Sequence, residues 1–223
     1  MLFRSNSTLT FLGNLTSGNS KTNTSLQITV LGGGVLSVTN GGSMTLGSQV
    51  AGTYSIPNYL LINGGVAAIG SNLSIGTASA ALTNDTSYVT VTNNGYLGVN
   101  GNIQLGNNTT NTVSGEANTL TLASGTISSS GTLTAGTNSG VTNSFFWSGG
   151  TLSAATITAT NANNTWNGAN SSITGNTLYN TNGTLAPGGI GAAGLTTING
   201  NYVQSSNAIL AIDILGTNPA TNF

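Results

Sequence analysis

Short alternations of apolar and polar residues, broken by glycine- and asparagine-rich corners, run through most of the chain. The clearest is Tyr96-Leu97-Gly98-Val99-Asn100-Gly101-Asn102-Ile103-Gln104-Leu105-Gly106. Leu97 and Val99 fall on one face of a strand, and Ile103 and Leu105 on one face of the next. Tyr96, Gly98, Asn102 and Gln104 fall on the other. A period of two is that of half-buried strands. The phrase returns: Gly95 recurs as Gly125, and Gly101 as Gly131. It also occurs one repeat earlier at Gly65-Val66-Ala67-Ala68-Ile69, and once more before that at Gly34-Val35-Leu36-Ser37-Val38. The period is about 30 residues, within the range of stacked repeat architectures.

One unit is therefore three short strands. The first well-formed unit has strands at residues 26–30, 35–38 and 44–46, with corners at Gly32-Gly33-Gly34 and Asn40-Gly41-Gly42. Gly and Asn suit such corners because they tolerate positive φ. Asparagines that recur at corners could also form ladders along the axis. Later units open on Leu60-Leu61-Ile62, Tyr88-Val89-Thr90-Val91, Leu120-Thr121-Leu122 and Phe145-Phe146-Trp147. The connections between units, such as 77–87 and 107–118, vary in length, as insertions on one side of a solenoid do.

Three strands in about 30 residues make no stable sheet of their own. Coiled once and stacked, they give three parallel sheets around a shared apolar interior. A β-sandwich has no reason to repeat at this period, and a propeller blade needs four strands and about 40 residues. The expected fold is all-β: a right-handed parallel β-helix, or β-solenoid, of about seven three-strand coils, roughly 34 Å long. It forms one domain over 1–223: an irregular N-terminal coil over 1–25, repeat coils over 26–216 and a tail over 217–223.

Composition narrows the function. The 223 residues include only two basic and three acidic ones, with no His and no Cys. Charged residues make up 2%, against about 25% in ordinary domains. Arg4 and Lys21 cannot neutralise a phosphate backbone, so no nucleic-acid partner is expected. No apolar run of about 18 residues predicts a membrane-spanning segment. No signal peptide is visible behind Met1-Leu2-Phe3-Arg4. The repeating Leu/Ile/Val column argues against disorder.

The segment Gly183-Thr184-Leu185-Ala186-Pro187-Gly188-Gly189, then Gly194-Leu195-Thr196-Thr197-Ile198-Asn199-Gly200-Asn201-Tyr202-Val203-Gln204-Ser205-Ser206, then Leu210-Ala211-Ile212-Asp213-Ile214, resembles the ending of autotransporter passenger-associated β-strand repeats. The resemblance covers roughly residues 120–216. It implies a β-helical passenger at the bacterial cell surface or outside the cell, and it carries over no catalytic residue.

Candidate chemistry is sparse. Asp85 and Glu116 lie about one coil apart in sequence and could face each other as the paired carboxylates of a glycosidase. The simpler reading is two solvated loop acids. Asp213 alternates out of phase with Leu210, Ile212 and Ile214 and is expected to face solvent. No Gly-Gly pair leads into the Asp of a calcium-binding β-roll, and no metal or other cofactor is expected. Phe145, Trp147 and Trp166 are the candidate ligand platform, a surface on which a sugar could stack; the alternative places alternate aromatics in the core. Thr119/Thr121, Thr132/Thr134 and Thr156/Thr158 suggest an ice-binding array, but fall on different strands of the unit. Asn14-Leu15-Thr16 and Asn72-Leu73-Ser74 fit the glycosylation pattern, as chance allows in so Asn-rich a chain.

The leading expectation is a non-enzymatic extracellular structural solenoid: a surface stalk, an adhesin segment or a self-assembling fibre subunit. Its partners would be further copies of itself, head to tail, with host or cell-surface glycans as the other class. The alternative is a carbohydrate-binding or polysaccharide-degrading β-helix protein. Receptor binding, as on a viral spike, is a third.

Overall fold

The computed structural model describes residues 1–17, 25–47, 57–76, 86–106, 117–135, 142–159, 165–166, 171–188 and 191–214. They form an all-β parallel solenoid of about five turns, with no helix among the described residues. The first face is a six-stranded sheet of Leu2–Phe3, Gln27–Leu31, Pro57–Asn63, Thr86–Thr92, Ala117–Leu122 and Thr142–Trp147. A second column runs from Thr8–Phe11 to Gly150–Ser153, and a third from Leu15–Thr16 to Thr156–Ala159.

Registers stack like on like. Ile103 lies between Leu73 and Leu133, and Leu97 between Ala67 and Ile127. Leu97, Val99, Ile103 and Leu105 are all buried, in the expected phase, while Gln104 is half-buried and Tyr96 exposed. Each fully buried Leu, Ile or Val contributes about 1.5–3 kcal/mol relative to exposure. The stack repeats that contribution on every rung.

The corners are held by side chains as well as backbone. Asn72 Oδ1 accepts the N–H of Asn102 at 2.8 Å, and Asn102 Oδ1 accepts the N–H of Thr132 at 2.8 Å. Asn14 Oδ1 accepts the Ser43 N–H at 2.9 Å in the same way. Together they form a ladder along the axis, asparagine on three of its steps and serine on the fourth, where Ser43 Oγ accepts the Asn72 N–H at 3.4 Å. Positive φ occurs at the corner residues Asn40, Gly41, Asn93 and Asn94, but not at Asn100-Gly101. There glycine is needed for space: a Cβ on Gly101 would come within 2.5 Å of Asn72 Oδ1.

The C-terminal part departs from the regular three-strand unit. Leu120 pairs with Phe145, and Ile157 with Leu178. The repeat thereby shortens to about 25 and then about 21 residues, the short end of solenoid periods. Ser171–Asn180 runs through the corner in one piece. Its first half pairs with Gly150–Ser153 and its second with Thr156–Ala159, so the second and third columns merge into one 14-stranded sheet. Thr196–Gln204 follows it, with a register shift between Thr174 and Thr177. Opposite lies a three-stranded sheet of Thr165–Trp166, Thr184–Leu185 and Ile209–Leu210. The segment that carries the family resemblance thus forms two-strand coils. At the other end, residues 1–17 are more regular than expected, pairing as three short strands with the coil that follows.

Candidate functional site

The aromatic platform is corrected by burial. Phe145 and Trp147 are 0% exposed, in register with Leu120 and Leu122 of the neighbouring coil. Alternation puts both in phase with the apolar column, so they fill the core and offer no ring face to a sugar. Phe146, between them, is the exposed member. Trp166 belongs to a strand paired with Thr184–Leu185, and its side chain lies outside the described residues.

Asp85 and Glu116 also lie outside the described residues. Asp213 is corrected: it is half-buried, and its Oδ2 accepts the Gly191 N–H at 2.8 Å, while Ile212 and Ile214 are exposed. No further coil lies over this rung among the described residues, so the phase of Ile212 and Ile214 brings no burial. Among the described residues, no three His, Cys, Asp or Glu side chains come together, and no helix is long and apolar enough to cross a membrane.

Thr132 and Thr134 lie beside Thr156 and Thr158, whereas Thr119 and Thr121 belong to the first face, next to Tyr88 and Thr90. The three pairs do not form one array. Asn14 and Asn72, the two glycosylation-pattern asparagines, are corner brackets of the ladder described above.

Two features were not anticipated. The first is a buried polar column on the first face: Asn58, Ser87, Asn118 and Asn143 stack in register. Asn118 Nδ2 donates to Asn143 Oδ1 at 3.0 Å, and Asn58 Oδ1 accepts the Leu26 N–H at 3.2 Å. The available signal was phase, since each lies two positions before an inward Leu60, Val89, Leu120 or Phe145. Gly76 and Gly106, at φ of 73° and 72°, leave room for it: a Cβ on Gly76 would overlap the Asn118 amide, and one on Gly106 the Asn143 amide. The column packs the corner where each variable connection leaves the coil.

The second feature lies outside. Tyr59 and Tyr88 stack on adjacent rungs of the first face, centroids 4.9 Å apart and rings 9° from parallel. Across the corner between the second and third columns is an open cleft of about 380 Å³, lined by Ser37, Asn40, Ala68, Tyr96, Gly98 and Asn100 among others. No protein family, curated protein or solved structure matches the chain.

Proposed function

We propose that this chain is a non-enzymatic structural solenoid working outside the cell, as a stalk or adhesin segment of a bacterial surface or as the subunit of a fibre. The observation that supports this most is the state of its terminal rungs. The apolar column is sealed through the middle of the rod but open at its last described rungs. Leu9, Phe11 and Leu15, in register with buried Leu36, Val38 and Met44, are only half-buried at one end. Leu210, in register with buried Leu185, is exposed at the other, as are Ile212 and Ile214 beyond it. A sheet edge with exposed apolar side chains templates further pairing. Almost no charge opposes it. The occupant is a second copy, head to tail, or more solenoid of a longer chain. Contact between unlike ends does not close, so copies would add without limit.

In its finer form the reading is a right-handed helix of seven coils. The right hand is the usual one for parallel crossovers. An extracellular setting is supported by the resemblance of the 183–214 segment to passenger repeats.

Sedimentation and electron microscopy over a concentration series test the assembly arm. The expected result is rods that lengthen with concentration, and that Val203→Lys with Ile212→Lys keeps as single particles. A wild-type chain that stays monomeric at high concentration would remove the fibre arm and leave the stalk.

A further inference from the structure

We infer that the outer cleft around Tyr96 is a binding site for a neutral saccharide. Its floor is one outward column on three successive rungs, Ser37, Ala68 and Gly98, in register with one another. These are the smallest side chains that could stand there, so the rod surface is hollowed along about 10 Å of its axis. Tyr96, 41% exposed, stands at one side of the hollow. Its ring leans over Gly98, since a Cβ there would meet Tyr96 Cε1 at 2.7 Å. Glycine at 98 therefore makes room for the ring, which lies across that end of the floor.

The opposite rim is polar. Asn40 sits at the tip of a turn with φ of 53°, and Asn100 at the corner that ends the strand of Tyr96. Both are exposed, and neither side-chain amide hydrogen-bonds within the described residues. Asn14, Asn72 and Asn102, which sit nearer the third column, are by contrast engaged as brackets between coils. A free amide offers two donors and an acceptor from one plane, which matches adjacent hydroxyls on a sugar ring. The ring's C–H face complements the negative face of a tyrosine. Among the described residues no charged side chain lines the cleft, which disfavours phosphates, acidic sugars and charged peptides. The volume, about 380 Å³, is within the range of small-ligand sites.

This site does not depend on the assembly state, because it lies on the flank of the rod between its ends. Saturation-transfer NMR on the full chain, with cellotetraose, maltotetraose and tetra-N-acetylchitotetraose as probes, tests it. At least one probe should receive saturation on its ring C–H protons. Tyr96→Ala and Ala68→Leu, which remove the ring and fill the floor, should each weaken binding about tenfold or more. Asn100→Ala should weaken it less, and Tyr179→Ala, an exposed tyrosine away from the cleft, should leave it unchanged. Circular dichroism establishes that each variant is folded, and Ala68→Leu and Asn100→Ala still decide the matter if Tyr96→Ala is not. No saturation of any probe, or binding indifferent to the cleft variants, overturns the inference.

Discussion

The described strands between residues 57 and 135 and those between 171 and 214 stack in the same parallel manner, yet only the first set buries its inward apolar side chains completely. In the first, Leu60, Ile62, Leu97, Ile103 and Leu133 have essentially no exposed surface. In the second, Ile212 is 66% and Ile214 75% exposed. The alternation is strict in strands such as Thr86–Thr92 and looser in Ser171–Asn180, where Ile173 and Leu178 fall five positions apart. The first set also has a neighbouring coil on each side at a regular period, which Ile212 and Ile214, beyond the last described strand, do not. In a solenoid, phase decides which face a side chain takes, and the neighbouring rung decides whether that face is dry.

The sharpest way to break this comparison is a buried charge. Ile103→Asp leaves an unpaired carboxylate in the core and should cost about 4 kcal/mol or more in urea unfolding. Ile212→Asp, at an apolar position of the same pattern, should cost less than about 0.5 kcal/mol. Gln104→Asp, the neighbour of Ile103 on the outer face, should resemble Ile212→Asp. Equal losses at 103 and 104 would mean that the strand phase is inverted.

Glycines give the next effect. Gly106→Ala combines a left-handed backbone with overlap of the Asn143 amide and should cost about 2–4 kcal/mol. Gly191→Ala has similar φ, 80°, but nothing within 4 Å of the new Cβ, so about 1 kcal/mol is expected. Adding Asn143→Ala should recover part of the Gly106→Ala loss, a coupling read from a double-mutant cycle.

The corner ladder is smaller again. Asn102→Ala removes the acceptor of the Thr132 N–H and should cost about 1 kcal/mol. Asn201→Ala, exposed on the last long strand, should stay within about 0.5 kcal/mol by thermal unfolding. The smallest effect concerns the polar column. The buried Ser87 hydroxyl has no hydrogen-bond partner among the described residues, so Ser87→Ala should be neutral within about 0.5 kcal/mol or slightly stabilising. A large loss there would give the hydroxyl a structural role.

Much of this molecule follows from its sequence. Period-two alternation within a longer regular repeat permits few folds, and it placed Leu97, Val99, Ile103 and Leu105 inward correctly. The asparagine ladder also followed, since corner residues that recur once per coil must stack. Tertiary structure decided the rest, because it depends on what lies one coil away. Phe145-Phe146-Trp147 can be read as a platform, and more readily as core with alternate members inside. Only the pairing of Phe145 with Leu120 and Trp147 with Leu122 sends two of the three inside. Asn58, Ser87, Asn118 and Asn143 look like ordinary polar positions until the coils close over them. Ser37, Ala68 and Gly98 attract no notice along the chain; stacked on successive rungs beside Tyr96, they become a cleft. A chain read in order shows each residue's phase, but burial and cavities arise between residues a full coil apart. Those neighbours are fixed by register, which the backbone sets only when the coils pair.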